Sequence, residues 1–239
     1  MSDAVKKAVI LAAGRGTRMR ELTDDLPKPM IAVRGRPILE HIVSGLAANG
    51  VDEVLMVVGY REDVVRGHFA DGDKFGVEVS YITQEVQDGT GRVVLLGRDF
   101  AGDDSFILSY GDILVPPETY GALVNLDGAD GILTVKRSDD VSKGGAVFLD
   151  ENFTVTGLIE KPGPGEPQSP WYNTGIYTFS RPVFDFAAAL KKSSRDEYEL
   201  TDAIVAMVAA GMTLRAEELK GEWADVRDPE VLEELNREG

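Results

Sequence analysis

Ala8-Val9-Ile10-Leu11-Ala12-Ala13-Gly14-Arg15-Gly16-Thr17-Arg18 begins the first apolar run of the chain and ends it on a glycine loop. Residues 8–13 predict a short buried strand, and Gly14 and Gly16 let the backbone turn sharply behind it. Glycines directly after a strand aim backbone N–H groups at an anion. Three kinds of phosphate loop start this way. A dinucleotide fold wants a third glycine, but that slot falls on Met19, and Gly59-Tyr60 follow Val58 where a ribose-binding acid would close the second strand. A P-loop needs G-x-x-x-x-G-K-[ST], which this chain lacks. A nucleoside-triphosphate loop fits better: Arg18 and Lys28, ten residues apart, are two cations that a folded loop brings to one triphosphate. Pro27 and Pro29 flank Lys28 and fix the backbone that carries it. Without them, the bare G-x-G would be read as a turn with solvated cations.

Working outward, residues 37–49 place Ile38, Leu39, Ile42, Val43 and Leu46 at helical spacing, with Pro37 in the first turn and Gly50 as the stop. Residues 54–58 predict a second strand, and Val77, Val79 and Tyr81 alternate as a third. Residues 93–96 belong to a helix and 106–108 to a fourth strand. Further strands are expected at 131–136, 146–149, 155–159, 176–179 and near 223–226, and helices at 182–191, 201–210 and 229–236. Strands alternating with helices imply a Rossmann-like α/β three-layer sandwich, its central sheet mixed but mostly parallel. The Pro- and Gly-rich stretch 162–170 is expected to be a surface loop, so 1–239 predicts a single domain.

The 25 basic and 41 acidic residues give a net charge of −16, which argues against a nucleic-acid partner. An acidic protein that handles phosphates must gather its cations at the site, and a divalent metal would help. The absence of cysteine excludes disulfides and thiolate chemistry. No apolar run approaches the roughly 20 residues of a membrane helix. The expectation is a cytoplasmic protein without a membrane partner, with homo-oligomerisation left open.

Ile10 to Met19, followed by Leu26-Pro27-Lys28-Pro29-Met30, resembles the signature of the nucleoside-diphosphate-sugar pyrophosphorylases, and the similarity runs to about Pro229. These are nucleotidyltransferases that join a nucleoside triphosphate to a sugar 1-phosphate. The resemblance implies that Arg18 and Lys28 are catalytic, holding the triphosphate and stabilising charge at its α-phosphate. It implies a nucleotide half of about 1–115, with Leu11, Ala13, Gly14, Gly16 and Thr17 around the nucleotide. Gln84 carries an amide able to pair with a base edge, and with Gly89 and Thr90 it resembles the pyrimidine-recognition segment. Thr90 stands where thymidylyl members more often have Leu, so UTP is favoured and dTTP comes next.

Tyr110-Gly111-Asp112 follows the fourth strand, where ligands of open α/β sheets sit. Asp112, with Asp225 of the late Trp223-Ala224-Asp225 segment, matches the family's metal positions and implies Mg2+ as cofactor. In the sugar half, about 116–239, Glu160, Lys161, Asn173, Thr174 and Gly145 are implied to hold the sugar phosphate. Lys143-Gly144-Gly145 departs from the family's aromatic-glycine pattern, and Glu197 is a weaker candidate. The implied reaction turns triphosphate and hexose 1-phosphate into nucleotide sugar and pyrophosphate. The alternatives are a cytidylyl- or guanylyltransferase with a non-sugar phosphate acceptor, or a non-catalytic sugar-nucleotide sensor. His41, His68, Phe184 and Phe186 are expected to serve structure.

Overall fold

The computed structural model describes residues 4–237. Nine strands form its central sheet: β1 (Lys7–Leu11), β2 (Glu53–Val58), β3 (Glu78–Thr83), β4 (Phe106–Tyr110), β5 (Gly131–Arg137), β6 (Gly145–Leu149), β7 (Val155–Glu160), β8 (Trp171–Phe179) and β9 (Leu214–Glu218). Strands β3, β2, β1 and β4 lie side by side and parallel. The chain therefore builds outward from β1 to β3, then returns to place β4 on the other side of β1. That reversal opens a crevice beyond the carboxyl ends of β1 and β4, where Leu11 pairs with Tyr110.

Both faces of the sheet are covered, as the near-continuous apolar sequence of β1 and β2 requires. Ala8 and Ile10 face one core with Val54 and Met56, against α1 (Ile38–Ala48), α2 (Glu62–Phe69) and α7 (Pro229–Arg237). Val9, Leu55 and Val57 face a second core, against α3 (Thr90–Val93), α5 (Val183–Ala188) and α6 (Leu200–Ala209). This is the three-layer, mixed-sheet architecture expected. Phe184 stacks on Phe106 at 5.2 Å in the second core. His41 and His68 are tied to Val33 O at 2.9 Å and Glu40 Oε2 at 3.0 Å, so both have structural partners.

Strand β8 is where the sheet forks. It is antiparallel to β5 along one edge. On the other edge Trp171 and Tyr172 pair with β6, whereas Ile176 to Phe179 pair with β4. Asn173, Thr174 and Gly175 pair with neither, and the register against β5 shifts between Asn173 and Tyr177. This triplet, which precedes the strand expected at 176–179, lies inside β8.

One local expectation is corrected, and two elements that the sequence did not mark are added. The helix at 93–96 is broken into α3, a 3-10 turn Val94–Gly97 and α4 (Arg98–Ala101). A Cβ on Gly97 would stand 3.0 Å from Val9, so this backbone passes close under β1. Helix α2 buries only Val65 and Phe69, too few apolar positions to mark its period in the sequence. Strand β9 buries Leu214 and Ala216 among charged neighbours and was equally silent.

Candidate active site

The glycine loop leaves β1 and turns through Gly16, whose φ of 71° is left-handed. A Cβ there would stand 2.6 Å from Lys28 Cβ, so glycine lets the Lys28 stem lie against the loop. Gly111, beyond β4, faces the same constraint: its Cβ would stand 2.8 Å from Leu11 O. The β1 and β4 ends are thereby closed tightly enough to bring Asp112 to Lys28.

Lys28 Nζ lies 2.5 Å from Asp112 Oδ2 and 3.9 Å from Asp225 Oδ1, with only 11% of its side chain exposed. Asp225 reaches this place because Ala224–Asp225 pairs antiparallel with Ile113–Leu114, setting Asp225 opposite Ile113 and next to Asp112. Burial and the charge of Asp112 push the Asp225 carboxyl above the ordinary aspartate range, with Lys28, Arg227 and Arg18 pulling it back. Among the described residues no cluster of three metal-ligating side chains forms. Two carboxylates suffice for Mg2+, which keeps several waters and takes phosphate oxygens for the rest. A divalent cation would also relieve the repulsion that raises Asp225. The pair fits the metal.

Two cavities meet over this cluster. The smaller, about 400 Å3, is lined by Leu11, Ala13, Gly14, Lys28, Gln84, Gly89, Thr90 and Asp112, with Gln87, Tyr110 and Glu197. The larger, about 790 Å3, is lined by Arg18, Gly145, Glu160, Lys161, Asn173, Thr174 and Asp225, with Arg195 and Arg227. Thr90, Tyr110 and Glu197 line both. Arg18 thus lies on the larger cavity while Lys28 lies on the smaller, so the two cations flank the junction. Gly16 and Thr17 line neither cavity; Gly16 shapes the loop and Thr17 starts the 3-10 turn Thr17–Thr23 behind it.

At the far end of the larger cavity, burial raises the Glu160 carboxyl; Lys161 and Arg195 oppose that and Glu199 adds to it. Arg195 Nη2 lies 2.7 Å from Glu199 Oε1 and 3.5 Å from Glu160 Oε1, which holds Glu160 in place. Lys161 adopts a left-handed φ of 47°, and its N–H donates to Gly144 O at 2.6 Å. The Thr174 hydroxyl is engaged inside the sheet with Thr134, and its carbonyl accepts from Trp223 Nε1 at 3.1 Å. Thr174 therefore builds the wall. Asn173, beside it, keeps a buried Oδ1 with no partner. The cations Arg18, Lys143, Lys161, Arg195 and Arg227 all line the larger cavity of a chain of net charge −16.

A family model described as Nucleotidyl transferase matches residues 7–238. The chain belongs to that family. It is 35% identical over 236 residues to UTP–glucose-1-phosphate uridylyltransferase AglF of Haloferax volcanii, covering 97% of this chain and 95% of that protein. It is 35% identical over 229 residues to Bifunctional protein GlmU of Methanococcus aeolicus, covering 96% of this chain but 53% of that protein. The chain spans about half the length of the GlmU relatives it matches. Its fold superposes on UDP-glucose pyrophosphorylase, solved in complex with UDP-glucose, with a TM-score of 0.86 at 21% identity, covering 98% of both chains.

In this nucleotidyl transferase the sequence motifs did not mark Arg195, Arg227, Gln87 or the buried Tyr110 hydroxyl. Gln87 Nε2 donates to Ala13 O at 3.2 Å, and Tyr110 is pushed up to about 12 by burial. Tyr110 lies inside the quoted Tyr110-Gly111-Asp112, Arg227 two residues after Asp225, and Arg195 two residues before Glu197 in Arg195-Asp196-Glu197-Tyr198-Glu199.

That segment also clasps the 88–91 loop. Tyr198 N–H donates to Asp88 O at 2.8 Å, and Gly91 N–H donates to Tyr198 O at 2.7 Å. Gly89, at φ 117°, leaves no room for a Cβ against the Tyr198 backbone. Gly89→Ala is expected to cost about 1–3 kcal/mol of stability and to weaken triphosphate binding, as read by urea unfolding and by KM. A variant unchanged in both would contradict the clasp.

Proposed function

We propose that this chain is a sugar-1-phosphate nucleotidyltransferase that takes a nucleoside triphosphate, UTP in preference to dTTP, and a hexose 1-phosphate. The observation that carries this is the junction: two cavities that share Thr90, Tyr110 and Glu197, with Lys28, Asp112 and Asp225 between them. A triphosphate entering over Gly14 and Gly89 and a sugar phosphate entering over Lys161 would meet there. The nucleotide half would span about 1–115 and the sugar half about 116–239, with Arg18, Thr90, Tyr110 and Ile113 of the first reaching the larger cavity and Glu197 of the second reaching the smaller.

A phosphate oxygen of the sugar 1-phosphate attacks the α-phosphorus in line; a P–O bond forms, and pyrophosphate leaves with the electrons of the broken one. The attacking oxygen is already anionic, so no side chain needs to accept a proton. Catalysis is then positioning and charge neutralisation. Lys28 faces the triphosphate and Arg18 the incoming phosphate at the junction. Lys161 holds the sugar phosphate, while Glu160 and Asn173 offer acceptors to sugar hydroxyls. Mg2+ held by Asp112 and Asp225 would supply further neutralisation of phosphate charge. Gln84 Nε2 donates to Val86 O at 3.0 Å, which leaves the amide oxygen of Gln84 for a base N–H. A triphosphate substrate suits a cytoplasmic enzyme, and among the described residues no helix is long and apolar enough to cross a membrane.

Pyrophosphate release, followed over a grid of triphosphates against glucose, N-acetylglucosamine, mannose and galactose 1-phosphates, tests the proposal. Turnover should be confined to pyrimidine triphosphates with at least one hexose 1-phosphate, and UTP should exceed dTTP. Silence across the grid would overturn it in favour of a non-sugar acceptor or a sensor.

A further inference from the structure

We propose that Tyr177, which lines neither cavity, orients the Asn173 amide so that its oxygen faces the sugar, and that Tyr110 and Thr90 hold Tyr177 from the nucleotide side. This rests on the function proposed above. Tyr177 is fully buried on β8, two residues past the fork triplet. Its Oη accepts a hydrogen bond from Asn173 Nδ2 at 2.7 Å. Its ring meets the Tyr110 ring edge-on at 6.1 Å. Burial pushes the Tyr110 hydroxyl up to about 12, with Thr90 and Tyr177 beside it pulling it back. Asn173, Tyr177 and Tyr110 thus form one chain of contacts behind the larger cavity.

The chain has a direction. Asn173 Nδ2 donates and the Tyr177 oxygen accepts. That fixes Nδ2 toward Tyr177 and turns Oδ1 the other way. Oδ1 is buried without a partner, in a residue that lines the larger cavity. A buried acceptor left unpaired is costly, and a ligand O–H or N–H relieves it. The site is thereby set to prefer a sugar that donates at this position over its deoxy analogue. The same chain is anchored at Tyr110, whose ring sits 2.9 Å from where a Gly175 Cβ would lie, so Tyr110 cannot shift without moving the fork.

The test uses the full chain and the substrate pair that the wild type turns over best. Tyr177→Phe is expected to raise KM for the sugar 1-phosphate about tenfold, the effect of one misplaced hydrogen bond, with kcat and the triphosphate KM within about twofold. Asn173→Ala should raise the same KM, and adding Tyr177→Phe to it should do nothing more, because Tyr177 acts through Asn173. Thermal unfolding checks that the variants fold; Tyr177→Met, which fills the space without a hydroxyl, replaces a Phe variant that does not. An active wild type with an unchanged sugar KM in the variant, or effects that multiply in the double variant, overturns the role of Tyr177. A wild type that turns over no sugar 1-phosphate overturns the functional proposal and takes this inference with it.

Discussion

Lys28→Ala should lower kcat by roughly 10²-fold or more, the cost of one preorganised charge partner at a developing anion. The structure raises the expectation beyond a lost contact. Lys28 Nζ stands between Asp112 at 2.5 Å and Asp225 at 3.9 Å, and it is the only cation there with a hydrogen bond to either among the described residues. Removing it leaves two carboxylates uncompensated at the junction of the two cavities, where the proposed triphosphate would lie. KM for the triphosphate should rise together with the fall in kcat, and extra Mg2+ should recover part of the binding and little of the rate. Lys28→Arg keeps the charge on a longer, planar head and should retain more activity than Ala. Steady-state kinetics across Mg2+ concentrations, with thermal unfolding as the fold control, read all of this. Near-normal turnover in the alanine variant would sink the assignment.

Asp225→Asn should move activity and stability in opposite directions. Loss of the carboxylate should lower kcat by about 10²-fold, on the scale of losing one electrostatic partner at the phosphates. Stability should rise. Asp225 has a folded-state carboxyl raised above its ordinary value by burial and by Asp112. A group raised in this way binds its proton more tightly folded than unfolded, so ionising it costs the folded state. That cost is absent below the unfolded value, grows as the pH climbs toward the folded one, and is complete above it. The asparagine variant should therefore exceed the wild type in urea stability at pH 8 without metal, and the difference should vanish near pH 3. Added Mg2+ should stabilise the wild type and leave the variant unmoved. Equal stability of the two proteins at pH 8 would contradict the like-charge crowding, and full activity would contradict the role.

Much of the fold was written locally. Alternation and apolar runs marked β1, β2 and β4, and helical spacing marked α1, because each is a period along one element. The elements that escaped are those whose period is weak: α2 is mostly charged, and β9 is a charged edge strand with two buried residues. The site divides in the same way. Gly14, Lys28, Gln84 and Asp112 are close to glycines or prolines that constrain the chain around them, so their neighbourhoods could be read. Arg195 has no glycine or proline near it, and what Arg195, Arg227, Tyr110 and Tyr177 contribute depends on the packing of distant elements around the cleft.

By itself the sequence pointed to a phosphate loop after the first strand and to a proline-fixed cation beside it, and it marked the parallel strands that carry both. Local sterics do that: glycine frees the turn, proline stiffens the backbone around Lys28, and apolar runs demand cover on two faces. The tertiary structure decided the rest. Asp225 joins Asp112 because a two-residue pairing sets it opposite Ile113. Lys28 reaches both because Gly16 lacks a side chain. The fork of β8 leaves Asn173 paired with β5 alone, at the wall of the larger cavity, with a buried oxygen that has no partner. These contacts follow the order of strands in the sheet, which differs from their order in the chain.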